Sequence, residues 1–258
     1  MISYLVCATP RSGSTLLCET LAETGVAGNP LEFFEALPET GVPRRPLDYL
    51  AGLDDEVAFA LIEDAPPHDP PPYSDVRGVA DYAEHLDRVR RLGTTPNGVF
   101  GAKVMWAHLE DLGRRLGTHD LPALVDDLFD RPRFVWVRRR DTVRQAVSLW
   151  RAMQTQSWRA EYEPGSGEPR YSFAAVDHLV KLLSTHDHAW ERFFAQAGGP
   201  VLTLTYEEVA ADLAATLQRT LDHIGVTPPE DALGAVPPMR RQADERSDAW
   251  AEAYVARI

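Results

Sequence analysis

Tyr4-Leu-Val-Cys-Ala-Thr-Pro-Arg-Ser-Gly-Ser-Thr-Leu-Leu17 carries a short apolar run into a Ser/Gly turn and out into a helix-forming stretch. Small residues at Ser12, Gly13 and Ser14 let successive backbone N–H groups converge on one point. The positive end of the following helix adds to the attraction of that point for phosphate or sulfate. Arg11 supplies a permanent cation beside the cradle. The spacing separates several chemistries. A Walker A loop needs G-x-x-x-x-G-K-[ST], but Gly13 is the only glycine here and no Lys precedes Ser14 or Thr15. A thiol phosphatase needs an Arg six positions after its Cys, and counting from Cys7 that position is Gly13. The G-x-G-x-x-G dinucleotide fingerprint is missing as well. An ordinary strand-to-helix turn with a surface Arg is the plain alternative.

A second segment repeats the pattern. Phe134-Val-Trp-Val-Arg-Arg-Arg-Asp-Thr-Val-Arg-Gln-Ala-Val-Ser-Leu-Trp150 reads as strand, basic corner, then helix, with Asp141 placed to cap the helix. Arg138, Arg139 and Arg140 stand together at the strand's carboxyl end in a chain of formal net charge −13. Local positive potential there contrasts with the overall field, although arginine runs are also commonly solvated and salt-bridged.

Pro10-Arg-Ser-Gly-Ser-Thr15 resembles the 5′-phosphosulfate loop of the sulfotransferases, and three further stretches extend the likeness. Thr24-Gly-Val-Ala-Gly-Asn-Pro-Leu-Glu-Phe-Phe34, Thr95-Pro-Asn-Gly-Val-Phe-Gly-Ala-Lys-Val-Met-Trp106 and Arg241-Gln-Ala-Asp-Glu-Arg-Ser-Asp-Ala-Trp250 occur in the order found in bacterial carbohydrate sulfotransferases of the trehalose 2-sulfotransferase type. The resemblance spans most of the chain and is weakest over 38–94 and 157–169. It implies a P-loop-like three-layer α/β fold, with a central, mostly parallel sheet flanked by helices. It also implies the donor 3′-phosphoadenosine 5′-phosphosulfate (PAPS), a sugar or glycosylated small-molecule acceptor, and a homodimer. On this reading Arg11, Ser12, Gly13, Ser14 and Thr15 hold the 5′ side of the donor. Arg139 and Ser148 hold its 3′-phosphate, and Arg241 and Gln242 close over it from the C-terminal loop, although a surface salt bridge is an equal reading of that last pair.

The family's general base is the Glu of its Glu-Phe-Phe motif, which falls here on Glu32. An alcohol is a poor nucleophile at neutral pH, so a positioned carboxylate that accepts its proton is what the chemistry needs. Phe33 and Phe34 flank Glu32, and partial desolvation by them would raise its pKa toward the working pH. Asn29, Phe33, Lys103 and Trp106 are the further acceptor-side candidates, with packing the alternative for Lys103 and Trp106. Two positions depart from the trehalose enzymes: polar residues flank the catalytic Glu there, whereas Asn29 and Leu31 stand near Glu32 here, which leaves the acceptor open among trehalose, other sugars, glycosides and a hydroxyl on a secondary metabolite.

Composition agrees with one soluble domain. At 258 residues and 44% hydrophobic content the chain can bury a large core, so residues 1–258 are expected to form a single domain with a Pro-rich insertion around 64–75. That insertion is Ala65-Pro-Pro-His-Asp-Pro-Pro-Pro-Tyr73, which cannot be helix or central strand. No apolar run is long enough to span a membrane and no signal pattern opens the chain, so a cytoplasmic protein is expected. The acidic balance argues against a nucleic-acid partner. Cys7 and Cys18 are expected to pack as small apolar groups, and the eight histidines show no metal-ligand spacing. Strands are expected near 2–8, 99–104, 134–137 and 201–205. Helices are expected near 15–23, 79–92, 108–116, 141–154, 173–197 and 212–224, the pattern of a parallel sheet covered on both faces. Two other classes share the anion loop: a Mg²⁺-dependent small-molecule kinase and a non-catalytic nucleotide-binding protein.

Overall fold

The computed structural model describes residues 2–35, 46–63, 82–158, 168–227 and 245–258. The Pro-rich tract, residues 159–167, and Arg241 and Gln242 lie outside the described residues. The strands are β1 (Ile2–Ala8), β2 (Val99–Met105), β3 (Arg133–Arg138) and β4 (Val201–Thr205). The helices are α1 (Ser14–Glu23), α2 (Glu56–Glu63), α3 (Tyr82–Gly93), α4 (Trp106–Arg115), α5 (Leu121–Phe129), α6 (Thr142–Thr155), α7 (Phe173–Ala197), α8 (Tyr206–Ala211), α9 (Leu213–Ile224) and α10 (Glu245–Val255). A 3₁₀ turn covers Pro46–Leu50.

All four strands are parallel, in the order β2-β1-β3-β4, so β1 is central and its exit is flanked on both sides. Alternation along each strand sends side chains to opposite faces. From β1, Leu5 and Cys7 join one core cluster while Tyr4 and Val6 join the other. From β3, Phe134 and Trp136 go to the first and Val135 and Val137 to the second. The first face is covered by aromatic side chains, with Trp106, Phe129, Trp190 and Phe193 among them. The second is covered by Leu17 and Leu21 of α1 and by Leu217, Leu221 and Ile224 of α9. Helices therefore lie on both faces of a parallel sheet, as the expected fold class requires.

Of the described residues, 2–35, 82–140 and 186–227 form one compact unit, which holds the whole sheet. Residues 46–63, 141–158, 168–185 and 245–258 form a second. The second unit has its own core, built by Leu50, Ala58 and Ile62 with Trp150 and Met153 of α6, Leu179 and Leu183 of α7, and Tyr254 of α10. Within it Arg144 reaches both the α6 cap Asp141, at 2.9 Å, and Asp248 of α10, at 3.0 Å.

Caps explain where helices start. Asp141 accepts the Arg144 amide and Asp212 the Ala215 amide, each satisfying an orphan N–H of the first turn. Asp120 does the same for α5, and Thr205 with Glu208 forms a reciprocal capping box for α8. Gly225 ends α9 in the left-handed region at φ 78°. Both cysteines are buried and free. Burial pushes the Cys7 thiol well up and the Cys18 thiol to about 12, so neither is a thiolate at neutral pH.

The central strand is registered by a tight contact. Tyr4 pairs with Gly101 of β2, and its hydroxyl donates to the Ala27 carbonyl at 2.6 Å. A Cβ at position 101 would meet the Tyr4 ring at 2.7 Å. Gly101→Ala must therefore displace a fully buried ring and its hydrogen bond. The expected loss of stability in urea denaturation is at least about 2 kcal/mol, the cost of overpacking a dense core. An unchanged midpoint would show that Tyr4 does not fix the β1–β2 spacing.

Candidate functional site

Leaving β1, the chain passes Thr9 and Pro10 and enters two left-handed residues, Arg11 at φ 63° and Gly13 at φ 86°. For Arg11, a non-glycine residue, that backbone costs on the order of 1–3 kcal/mol and persists only where its surroundings hold it. Gly13 is the N-cap of α1 and brings no side-chain cap. The first amides of α1 are therefore not consumed by a capping side chain. Ser12 is fully buried, and its hydroxyl has no hydrogen-bond partner among the described residues. An unmatched buried hydroxyl is costly unless something fills its site.

Beside the turn, Lys103 of β2 joins two of the expected residues. Its Nζ lies 2.9 Å from Thr15 Oγ1, to which it donates, and 3.0 Å from Glu32 Oε1. Burial disfavours the ammonium most, but the charge and hydrogen bond of Glu32, together with Cys18 and Glu35, outweigh it and hold the Lys103 pKa above its ordinary value. Lys103 is thus a cation throughout the neutral range.

Glu32 is held by backbone on both sides. Leu31 bridges to Ala102 in parallel fashion, and the Lys103 amide donates to the Leu31 carbonyl at 2.9 Å. Upstream, the Asn29 amide donates to Gly93 at 3.0 Å and its side-chain Nδ2 to Leu92 at 2.9 Å. The Gly28 amide is received by Thr95 Oγ1 at 3.1 Å, and a Cβ on Gly28 would fall 2.7 Å from the Gly101 nitrogen. The segment is in effect a short extra strand beside β2. Downstream, Phe33 and Phe34 anchor it in the core, with Phe34 edge-on to Phe129 and His85. Phe33 is completely buried and Trp106 nearly so, the latter edge-on to Trp190 and Phe193. These two residues, expected to face an acceptor, are packed in the core. The flank of Glu32 includes the Lys103 ammonium and is not purely apolar.

The three arginines after β3 have different surroundings. Arg138 pairs with Glu191 at 3.2 Å over the Trp136 ring, and Arg140 is exposed. Arg139 is buried, with its guanidinium 4.3 Å from the centroid of the Tyr206 ring. An edge of that ring faces Gly13, where a Cβ would come 3.0 Å from Tyr206 Cδ2. Tyr206 thus connects the turn to Arg139, a link the sequence reading missed. Its only sequence signal was its place at the end of β4, where sites of such sheets gather. Ser148 is half-buried on α6, in the other compact unit. A separate cavity of about 300 Å³, lined by Ser3, Arg90, Phe100 and Asp127, opens near the start of β1, whereas the turn lies at its end. Among the described residues no three His, Cys, Asp or Glu side chains group as a metal site, and no helix is long and apolar enough to cross a membrane.

Comparison with known proteins agrees with this geometry. The family model described as Stf0 sulphotransferase matches residues 3–257. The chain is 39% identical over 261 residues to a trehalose 2-sulfotransferase of Mycobacterium tuberculosis (strain ATCC 35801 / TMC 107 / Erdman), spanning 98% of this chain and 94% of that protein. It is 34% identical over 263 residues to one from Mycolicibacterium smegmatis, again over 98% of this chain and 94% of that protein. Among solved structures, sulfotransferase STF9 from Mycobacterium avium superposes with a TM-score of 0.52 at 13% identity, over all of this chain and 76% of that one, which speaks to a shared fold. With its anion turn at the end of the central strand and a family match over nearly its whole length, the chain belongs to the Stf0 sulphotransferase family.

Proposed function

We propose that this sulfotransferase moves the sulfuryl group of PAPS to a hydroxyl of a carbohydrate, with Glu32 as the general base. The observation that carries the reading is Lys103, whose ammonium touches both Thr15 of the anion turn and Glu32. One buried cation thereby links the donor side to the proton acceptor. The names of the two relatives support a disaccharide such as trehalose as acceptor.

In this reaction the acceptor oxygen attacks sulfur, the sulfur–oxygen bond to the donor's 5′-phosphate breaks, and adenosine 3′,5′-bisphosphate leaves. The hydroxyl proton passes to Glu32. The turn amides, the Ser12 hydroxyl and Arg11 hold the 5′-phosphosulfate and take up negative charge as it grows on the bridging oxygen. Lys103 stabilises the migrating group and orients Glu32. Arg139, backed by Tyr206, receives the 3′-phosphate. Ser148, Arg241 and Gln242 are proposed to complete the donor contacts, and Asn29 and Lys103 the acceptor side. Soluble, cytoplasmic action as a homodimer without metal belongs to the same proposal.

Adenosine 3′,5′-bisphosphate is expected to raise the unfolding temperature in the presence of a chelator, since a ligand that binds only the folded state stabilises it by mass action. AMP, which lacks the 3′-phosphate, is expected to do so less. A charge-assisted contact is worth about 1.5–3 kcal/mol, so Arg139→Ala removes roughly ten- to hundredfold of that preference in calorimetry. Equal binding of the two nucleotides by the unaltered protein would refute the 3′-phosphate assignment.

Glu32→Gln keeps the shape of the side chain and removes the proton acceptor. Transfer to a sugar hydroxyl is expected to fall about 10²–10⁴-fold while bisphosphate affinity stays within a few-fold. An acidic phenol needs less help in losing its proton and should lose less rate. Wild-type transfer to alcohols by the variant would remove Glu32 from the role of base.

A further inference from the structure

Thr9 stands between the last residue of β1 and the turn, and it is fully buried. Its hydroxyl donates to Oδ1 of Asp187 at 3.2 Å. Three residues further along α7, Trp190 Nε1 donates to the Ala8 carbonyl at 3.0 Å. Positions three apart share a helix face, so one face of α7 holds two successive residues of the strand exit. Immediately beyond them lie Pro10 and the left-handed Arg11. Nothing in the donor chemistry requires Asp187, and Thr9 has no place in the reaction above.

We propose that Asp187 is a positioning residue: through Thr9 it holds the exit of β1 so that Arg11 and the turn amides keep the conformation that binds the donor phosphosulfate. Asp187 is 5% exposed, and the groups acting on its carboxylate are Arg138 from β3, the Thr9 hydroxyl, and Glu191 and His188 of its own helix. Burial pushes its pKa up to about 6, against the opposing pull of Arg138 and Thr9. A raised folded-state pKa means that the favourable contribution to stability is present at low pH and is lost as pH rises through about 6. At neutral pH the charge therefore costs folding stability. In exchange the carboxylate is a stronger acceptor for Thr9 than any neutral group of its shape. Purely architectural roles predict that a neutral replacement weakens the fold. A positioning role predicts the opposite pairing, a fold as stable or more so with a poorer turn.

The test compares wild type with Asp187→Asn, Thr9→Val and Thr9→Ser between pH 5 and pH 8. It rests on the proposed donor only through the choice of adenosine 3′,5′-bisphosphate as probe. Because the probe's own phosphates titrate in this range, the quantity read is the affinity ratio to wild type at each pH. At pH 8 Asp187→Asn is expected to unfold at or above the wild-type temperature and to bind about three- to tenfold more weakly. The ratio should approach one at pH 5, where wild-type Asp187 is neutral as well. Thr9→Val should show the same loss and Thr9→Ser should restore binding. A ratio of one at pH 8 overturns the proposal, as does a ratio constant across pH with a lowered unfolding temperature. Failure of the wild type to bind the probe would count against the donor reading, and the decision then falls to the free protein. In that case ¹⁵N-resolved amide signals of Ser12 and Gly13 that titrate near pH 6 in wild type, and in neither Asp187→Asn nor Thr9→Val, support the proposal. Signals that titrate alike in all three overturn it.

Discussion

The structure depends on the passage from β1 into α1, where no side chain caps the first turn of the helix. A parallel sheet brings its strand ends together on one side, and β1 is an interior strand with a neighbour on each side. At that exit the chain adopts two left-handed residues and starts a helix on a glycine that has no side chain with which to cap it. Each of these choices costs stability. Together they leave the first turn of α1 uncapped where the proposed phosphosulfate would bind, and the buried Ser12 hydroxyl beside it has no hydrogen-bond partner among the described residues.

The surroundings hold that cradle from several directions. Tyr206 lies against Gly13 and under Arg139, tying the turn to the end of β3. Lys103 reaches Thr15 from β2 and simultaneously pairs with Glu32, whose own backbone is strapped to β2 through Leu31. A buried ion pair is weak evidence of stability, since desolvation consumes much of its attraction. The Lys103–Glu32 pair is better read as a device that fixes the position of a carboxylate, as the proposed role of Glu32 requires. On the remaining side α7 grips Ala8 and Thr9.

Much of this was legible in the sequence where signals were local. The four strands stood out as short apolar runs, and β1 and β4 were read with their observed bounds. Asp141 was visible as a cap because Asp at the head of a periodic stretch has one obvious use. Short helices were missed. The α5 start at Asp120 and the capping box of α8 carry clear chemistry, but helices of 9 and 6 residues have too few turns for a hydrophobic period to emerge. In the site, Arg11, Gly13, Glu32 and Lys103 could be named from motif likeness. That Phe33 and Trp106 pack inward depends on a face chosen by tertiary structure, where an aromatic looks alike in a core or a cleft. Asp187 was invisible for a simpler reason: its partner Thr9 is 178 residues away in the chain, and no local pattern encodes that contact.

The turn, Lys103 and Glu32 are proposed to perform sulfuryl transfer to a sugar together. The most direct measurement is mass spectrometry of the products after the purified protein is incubated with PAPS and trehalose in the presence of a chelator, beside parallel reactions with other disaccharides. The expected products are a sulfated sugar and an equal amount of adenosine 3′,5′-bisphosphate, both dependent on the intact turn, as sulfuryl transfer requires. Release of the bisphosphate with no sulfated sugar from any acceptor, or no turnover of the donor at all, would contradict it.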